Sequence, residues 1–230
     1  MFVPRRRRGS EILDDPATDP AVRARSLQDV RRSNVLLGGL RAVLAEVARL
    51  LPSIGPRATL LDVGTGLADI PFAARERARK QGVALEVLGV DGAESLSRLC
   101  AATLDGCACA DVRDLPFPDA SIDVVTCSQL LHHFEDHEIP RVLRELDRVA
   151  RRQVIVADLQ RSWLAACGFW LVSWPLAFSP VTRHDGTLSV LRGFTAAELS
   201  RHIQLATGRH ATIRRHIGWR LTASWEKCAV

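Results

Sequence analysis

The sequence feature that most constrains the fold is a short apolar run that ends in a glycine turn. The run occupies residues 59–63, the turn follows at once as Gly64-Thr65-Gly66, and apolar residues at helical spacing begin at Ile70. This order predicts a strand, a tight turn and an amphipathic helix. Glycines let a backbone approach a ligand closely, and the start of a helix offers unpaired N–H groups. The unit therefore predicts a ligand site at the carboxyl end of a strand in an α/β sheet.

An acidic residue near this turn indicates the charge of the ligand. A dinucleotide-binding turn of this type carries Gly or Ala at its sixth position, whereas this chain has Asp69. A carboxylate is poorly placed where a pyrophosphate rests on the positive end of a helix, and it suits a ligand with cationic groups. The sequence therefore disfavours a nicotinamide-dependent oxidoreductase.

A second carboxylate is expected beside the same ligand. Asp91 ends a predicted strand at residues 85–91 and lies 25 residues beyond Gly66. A carboxylate at the carboxyl end of the second strand is well placed to accept from both hydroxyl groups of a ribose. Capping of the helix that follows is the alternative role for Asp91.

Three segments together resemble the class I S-adenosylmethionine (SAM) dependent methyltransferases. Asp62-x-Gly64-x-Gly66-x-Ala68 resembles motif I of that family, the segment that opens with Asp111-Val112 resembles its adenine-site motif, and Leu131-His132-His133 resembles a segment common in its small-molecule members. The resemblance implies an α/β fold: a seven-stranded, mostly parallel Rossmann-like sheet with helices on both faces, an N-terminal helical cap and an antiparallel last strand. It also implies SAM as the cofactor and S-adenosylhomocysteine as the product.

The resemblance further implies which residues bind the cofactor. The glycine turn would approach the methionine moiety, Asp91 would hold the ribose, and Asp111 with Val112 would hold the adenine. The family usually has a third glycine where this chain has Ala68, and alanine is small enough that only a tighter fit is expected. The predicted cofactor-binding residues are Asp62, Gly64, Thr65, Gly66, Ala68, Asp69, Asp91, Gly92, Asp111, Val112, Cys127 and Ser128.

The domain prediction is a flexible basic arm at residues 1–20 and one methyltransferase domain at residues 21–230. Arg5–Arg8 carry +4 of the formal net charge of +5 and are expected to lie in solvent, with contact to anionic lipid, nucleic acid or a partner as the alternatives. Within the domain, residues 21–52 are predicted to form two helices, divided near Gly38-Gly39, that cap the cofactor cleft or merely cover a sheet edge. Residues 161–194 are predicted to form an apolar lid over the substrate.

The cysteines and the N-terminus indicate the compartment. The six cysteines include no Cys-x-x-Cys pair and several lie in apolar runs, which is typical of reduced, buried thiols. No apolar segment of the signal-peptide type follows the N-terminal arginines. These features favour a cytoplasmic protein. The cysteines are Cys100, Cys107, Cys109, Cys127, Cys167 and Cys228.

The stretch from residue 163 to residue 179 contains no charged residue and three of the five tryptophans. It is marginal as a membrane-spanning helix, which needs about 20 apolar residues, and it contains Gly168 and Pro175. Two interpretations remain: a helix buried between the sheet and the cap, or the apolar wall of an acceptor pocket, with peripheral membrane contact as an option. The predicted substrate-binding residues are His133, Asp158, Trp163, Trp170, Trp174 and Arg192.

Local signals define the elements after this stretch. His184-Asp185-Gly186 is predicted to form a turn. Thr195-x-x-Glu198 is a capping box, which predicts a helix that ends at Gly208. Two β-like runs after that glycine are predicted to form the closing antiparallel pair of the sheet.

The chemistry implied for the site is methyl transfer. Displacement at a sulfonium carbon has a good leaving group, so the protein mainly supplies alignment and a dry pocket. A hydroxyl acceptor must also lose a proton, and the candidate bases are His133, His132 and His184; hydrogen bonding that only shapes the pocket is the alternative. No metal is expected, because His133 and His137 lack an H-E-x-x-H motif and Pro140 starts the next helix too late to align them.

The sequence thus predicts a methyltransferase (EC 2.1.1.-) that acts on a small apolar or aromatic acceptor of phenolic, polyketide or quinone-like type. O-methylation is favoured over C-methylation. The alternatives are a non-catalytic SAM-binding or partner protein and a protein or nucleic-acid methyltransferase. Nucleic acid is not expected as a partner, since Tyr is absent and no basic stripe with interleaved aromatic residues occurs.

Overall fold

One sheet of seven strands carries the glycine turn at its carboxyl edge. The computed structural model describes residues 3–15 and 17–227, so Cys228 lies outside the described residues. The strands are β1 (Arg57–Val63), β2 (Ala84–Asp91), β3 (Gly106–Cys109), β4 (Ile122–Ser128), β5 (Ala150–Leu159), β6 (Thr212–His216) and β7 (Arg220–Glu226). Their order across the sheet is β3-β2-β1-β4-β5-β7-β6. Strands β1 to β5 are parallel, and β7 lies antiparallel between β5 and β6, which confirms the predicted fold class.

Helices cover both faces of this sheet. They are α1 (Pro20–Leu36), α2 (Gly39–Ile54), α3 (Asp69–Arg79), α4 (Glu94–Ala101), α5 (Ile139–Val149), α6 (Trp163–Ser173), α7 (Pro180–Arg192) and α8 (Ala196–Thr207). Helices α2, α3 and α4 share one apolar core with the sheet, whereas α5 and α8 share the other. A smaller cluster joins α6 to α7 at the end of β5. Strand β4 is buried along its whole length, as expected for a central parallel strand.

Three of the local signals in the sequence act as predicted. The Thr195 hydroxyl accepts from the backbone N–H of Glu198 at 3.2 Å, and the Glu198 carboxylate accepts from the backbone N–H of Thr195 at 2.8 Å, so the capping box starts α8. Gly208 ends that helix in the left-handed conformation, with φ of +70°. Gly38 separates α1 from α2 in the same way, with φ of +85°.

The turn predicted at His184-Asp185-Gly186 is wrong, because these residues lie inside α7. The helix begins where the Ser179 hydroxyl accepts from the backbone N–H of Thr182, with proline in its first turn. Gly186 serves packing rather than chain reversal. A Cβ atom at Gly186 would lie 2.3 Å from the ring of Phe169, so the glycine lets α6 and α7 approach closely.

Residues 3–15, which we call the N-terminal strap, leave Arg5, Arg7 and Arg8 exposed as expected, but Arg6 packs against the rest of the protein. The guanidinium of Arg6 lies 4.5 Å from the centre of the Phe194 ring and donates to the carbonyl oxygens of Arg192 at 2.7 Å and Phe134 at 3.0 Å. Arg161 in turn donates to the carbonyl oxygen of Pro4 at 2.8 Å. These contacts fix the strap against α7 and the start of α8, because buried guanidinium donors and backbone oxygens satisfy one another.

Candidate functional site

A cleft of about 420 Å³ opens at the carboxyl ends of β1 and β2. Its lining includes five of the residues predicted to bind a cofactor: Gly64, Asp91, Gly92, Asp111 and Val112. The carboxyl edge of a parallel sheet is where α/β proteins bind ligands, so the cleft lies where the sequence places it. We call it the donor cleft.

The glycine turn at the floor of this cleft is tightly constrained. Gly64 has φ of +74°, and a Cβ atom there would lie 2.9 Å from the side chain of Leu130. The backbone N–H of Gly66 donates to the Asp91 carboxylate at 3.0 Å, which ties the turn to the end of β2. Ala68 also has a positive φ, of 58°. The alanine therefore has a consequence beyond the expected tighter fit, since a left-handed non-glycine residue costs roughly 1–2 kcal/mol.

Three carboxyl groups surround the turn. Asp62 is buried and accepts from the Thr126 hydroxyl at 2.6 Å. Burial raises the pKa of Asp62 to about 7, and the nearby charges of Asp69 and Asp91 also raise it. Burial raises the pKa of Asp69 as well. A ligand with positive charge at the turn would relieve this concentration of negative charge.

Three buried polar side-chain atoms at the turn and at the end of β4 have no hydrogen-bond partner among the described residues. They are Thr65 Oγ1, Asp69 Oδ2 and Ser128 Oγ. Buried polar atoms in folded proteins are nearly always paired, so these unpaired atoms indicate where the polar groups of a ligand fit. All three residues belong to the predicted cofactor set. Cys127 belongs to it too, but its side chain packs in the apolar core, where burial raises the pKa of the thiol well above its ordinary value.

The two acids predicted to bind ribose and adenine have protein partners as well. Asp91 Oδ1 accepts from the backbone N–H of Ala93 at 2.9 Å, but Ala93 is itself the N-cap of α4, so Asp91 does not cap that helix as the alternative supposed. Asp111 accepts from Arg113 Nη2 at 2.7 Å, and this hydrogen bond holds the pKa of Asp111 below its ordinary value. A carboxylate offers about four lone-pair sites, so these bonds leave room for a ligand at both positions.

A second, smaller cavity of about 100 Å³ lies beside the histidine pair, and we call it the acceptor cavity. It collects residues from the strap, α1, the end of β4, α6, α7 and β7. Among the residues that line it are Glu11, Ser33, Gln129, His132, His133, Phe169 and Arg220. Helix α2 packs on the sheet, whereas α1 supplies Val30 and Ser33 to this cavity.

His132 is buried and fixed in orientation. Its Nδ1 lies 2.7 Å from Asp158 Oδ1, and its backbone N–H donates to Asp158 Oδ2 at 3.2 Å. Burial raises the pKa of Asp158, but the charge and hydrogen bond of His132 outweigh it and bring that pKa below its ordinary value. Asp158, predicted to bind substrate, instead lies buried against His132 and orients the ring. The Nε2 atom is left facing Glu11, 3.9 Å from Oε1.

His133 is held by the strap. Its Nδ1 lies 3.1 Å from Asp14 Oδ1, and its Nε2 lies 4.0 Å from Glu11 Oε2. Burial lowers the pKa of His133, but its hydrogen bond to Asp14 and the charges of Glu11 and Asp14 outweigh this effect and raise that pKa. The pKa of Asp14 is lowered in return, since its bonds to His133 and to the backbone of Glu11 outweigh its burial. Neither strap carboxylate was predicted from the sequence.

Arg192, predicted to bind substrate, holds the site together instead. It donates to the carbonyl oxygens of His132 at 3.0 Å and His133 at 2.7 Å. Its Nη1 lies 3.6 Å from Glu11 Oε1. Glu11, His132 and His133 have ligand-type atoms within 4.8 Å of one another, as a metal site requires. The guanidinium already supplies positive charge there, so the arrangement favours a hydrogen-bonded ion network over a metal centre.

Four predicted site residues lie elsewhere. His184 pairs with Asp185 at 2.8 Å, its side chain is 59% exposed, and it is not among the residues that line the acceptor cavity. The structure therefore does not bring this candidate base to the site. Trp163, Trp170 and Trp174 lie on the exposed side of α6, and Phe169 of the same helix lines the cavity instead. A helix with apolar residues on every side gives no periodic signal for its inner face.

Two further residues at the site escaped prediction. Gln129 adopts a left-handed conformation, with φ of 53°, and its side-chain amide donates to the side chain of Asn34 in α1. Arg220 is buried at the start of β7, with its Nε unpaired among the described residues. Burial lowers the pKa of Arg220 to about 10. An unpaired buried donor that lines the acceptor cavity is suited to an oxygen atom of a ligand.

Comparison with known proteins agrees with this arrangement. Residues 61–157 match the family described as "Methyltransferase domain". The match runs from within β1 to within β5 and includes every residue that lines the donor cleft. This part of the chain is therefore similar to a methyltransferase domain.

Individual relatives are distant. Over 139 residues the chain is 30% identical to the ubiquinone/menaquinone biosynthesis C-methyltransferase UbiE of Ralstonia pickettii (strain 12J), covering 57% of this chain and 55% of that protein. The chain thus spans about half the length of this curated relative. The structure of the plantazolicin methyltransferase BpumL in complex with SAH covers 91% of each chain with a TM-score of 0.67 and 17% identity. A SAM-dependent methyltransferase from Aquifex aeolicus covers 92% of this chain and 99% of its own, with a TM-score of 0.61 and 15% identity. These two similarities establish the fold alone.

Proposed function

We propose that this protein transfers a methyl group from SAM to a small apolar or aromatic acceptor of phenolic, polyketide or quinone-like type, with O-methylation favoured over C-methylation. The observation that carries the proposal is the pairing of two adjoining sites. One is a cleft beside a glycine turn that carries unpaired buried atoms and several carboxyl groups, and the other is a cavity faced by two carboxylate-backed histidines. The first suits a cationic donor and the second suits an acceptor that must lose a proton.

The donor cleft and the glycine turn beside it together offer a complementary group for each part of SAM. Asp69, with its unpaired Oδ2, and Asp62 suit the ammonium and sulfonium charges. Asp91 suits the ribose hydroxyls, and Asp111 with the buried Val112 suits the adenine. A dry site strengthens each of these electrostatic interactions, which favours a positively charged donor over a neutral one.

The acceptor reaction follows from the histidine geometry. The acceptor oxygen forms a bond to the methyl carbon, the carbon–sulfur bond breaks, and the sulfur keeps the electron pair. The hydroxyl proton passes to a histidine nitrogen. His132 is favoured over His133 as the base, because the buried Asp158 fixes Nδ1 as the protonated nitrogen and leaves the Nε2 lone pair free. Arg220 Nε is suited to hold the acceptor oxygen.

C-methylation is the second candidate reaction. The relative from Ralstonia pickettii carries the name of a C-methyltransferase, which supports this alternative. An electron-rich ring carbon needs less help from a base than a hydroxyl does. The two reactions therefore differ in how strongly turnover should depend on His132.

The test is an acceptor screen read by mass spectrometry, combined with calorimetry. We expect SAM and S-adenosylhomocysteine to bind, and a phenolic, polyketide or quinone-like acceptor to gain the mass of one methyl group. Asp91→Ala should weaken donor binding, whereas Asp114→Ala, an exposed acid outside the cleft lining, should not. Failure of both donor ligands to bind would overturn the proposal, and methylation of polar amines alone would overturn the acceptor class.

A further inference from the structure

Helix α6 exposes a continuous apolar stripe to solvent. The exposed positions recur at intervals of one, three and four residues, so they lie on one side of the helix. The opposite side, which includes Ala165, Ala166 and Ser173, is buried. The stripe consists of Trp163, Leu164, Cys167, Trp170, Leu171 and Trp174.

The continuity of this surface distinguishes it from ordinary exposed apolar residues. Single exposed leucines are common, but contiguous patches of several hundred Å² mark interaction sites. Each large member of the stripe is between 44% and 61% exposed. The apolar surface also continues past Val172, which shares a small cavity with Leu37 and Trp219.

Positive charge borders the stripe. Residues 160–184 include no aspartate or glutamate. Arg25 and Arg32 of α1 donate to carbonyl oxygens of the α6–α7 connection at 3.3 and 3.1 Å. The guanidinium of Arg183 lies 3.7 Å from the centre of the Trp174 ring. Tryptophan and leucine on one side with arginine at the margin are typical of helices that lie in the headgroup region of anionic membranes.

The stripe is also connected to the acceptor cavity. The cavity beneath Val172 has a volume of about 120 Å³ and shares three lining residues with the acceptor cavity: Phe169, Val190 and Arg220. The two spaces are therefore neighbours on either side of Phe169. A lipid-soluble molecule could reach His132 from the α6 surface without crossing the water-exposed face of the protein.

We propose that the outer face of α6 docks on the surface of an anionic phospholipid bilayer and that the acceptor enters from that bilayer past Phe169. The entry route of the acceptor rests on the proposed methyl transfer, whereas docking on the bilayer does not. The helix has 11 residues, or about 16 Å of length, so it lies in the interface. None of the described helices is long and apolar enough to cross a membrane.

The test measures co-sedimentation with vesicles of phosphatidylcholine alone and of an equal mixture with phosphatidylglycerol. We expect binding to the mixed vesicles, a blue shift of tryptophan fluorescence on binding, and weaker binding at high salt. The triple variant Leu164→Gln, Trp170→Gln, Leu171→Gln should lose roughly tenfold or more in affinity, because it removes three apolar anchors. Leu99→Gln with Leu205→Gln, which changes exposed leucines on other helices, is the matched control and should bind as the unmodified protein does.

Separate readouts keep this proposal distinct from the proposed function. Binding of S-adenosylhomocysteine should be the same in both variants, which shows that the fold and the donor cleft are intact. Vesicle binding without methylation of any acceptor would leave docking in place and reject the proposed reaction. Equal binding to neutral and anionic vesicles would overturn the charge argument. Absence of vesicle binding would overturn docking. Self-association that the triple variant abolishes would also overturn docking and would assign the stripe to a second copy of the chain.

Discussion

The substitution Asp62→Asn tests whether the donor cleft holds negative charge at a cost in stability. Asp62 is 2% exposed, and burial raises its pKa from the ordinary value of 3.8 to about 7. Between about pH 4 and pH 7 the folded protein therefore keeps a proton that the unfolded chain has lost. The free energy of unfolding falls by about 1.4 kcal/mol per pH unit across this range and is constant above it. The total is on the order of 4 kcal/mol.

Asparagine removes the charge and keeps the hydrogen bond, since its amide oxygen can accept from the Thr126 hydroxyl. We expect the variant and the unmodified protein to differ little near pH 4. At pH 8 the variant should be more stable by roughly 2–4 kcal/mol, after allowance for the new amide N–H group that needs a partner. Urea unfolding at several pH values measures this difference. The exposed Asp114→Asn is the control and should show no such trend.

The same substitution should change donor binding in the opposite direction. SAM should bind the unmodified protein more tightly as pH rises through about 7, because Asp62 then carries its charge. The variant should bind SAM more weakly at pH 8 and lose most of this pH dependence, as calorimetry can measure. If Asp62→Asn gave the same slope of stability against pH as the unmodified protein, the reasoning about buried charge at the turn would be refuted.

Three further predictions concern the acceptor cavity and the helices around it. Asp158→Asn should lower turnover of a hydroxyl acceptor by roughly 10²-fold, because it removes the carboxylate that orients His132. Binding of S-adenosylhomocysteine should not change, and an equal loss of turnover and binding would contradict a positioning role. Gly186→Ala should destabilise the fold by about 1–3 kcal/mol in urea unfolding, because the new Cβ atom would lie 2.3 Å from the ring of Phe169. The control Gly168→Ala in α6 places its Cβ atom where nothing lies within 4 Å, so it should be neutral or stabilising. Treatment with EDTA should leave turnover unchanged, because Arg192 already supplies positive charge beside the histidine pair; recovery of lost activity by added zinc would reject that argument.

The donor cleft was predictable because its determinants are close together in the sequence. The glycine turn, Asp69 and Asp91 each follow a strand whose apolar pattern is clear, and parallel strands bring their carboxyl ends together. The order of elements and the capping box at Thr195 were predictable for the same reason. Local sequence patterns are enough to predict the structure wherever one element directly sets the position of the next.

The acceptor cavity was largely not predictable, because distant segments build it. Glu11 and Asp14 lie about 120 residues before the histidines they face, and no local pattern marks them as partners. The turn expected at Gly186 failed because packing against Phe169 decided the conformation there. In α6, apolar residues on all sides concealed which of them faces the cavity and which faces solvent.

In the proposed reaction, the chain segment that leaves β4 would set the distance between donor and acceptor. Ser128, with its unpaired Oγ, ends the strand at the donor side, and His132 faces the acceptor cavity four residues later. Between them Gln129 adopts its left-handed conformation, at a cost of roughly 1–2 kcal/mol for a residue that is not glycine. Its backbone N–H donates to the Ala157 carbonyl at 2.7 Å, and its side chain holds Asn34, so the surrounding structure enforces the strain. A rigid link of this kind would fix the two reactants relative to each other, which is what the proposed in-line transfer of a methyl group requires.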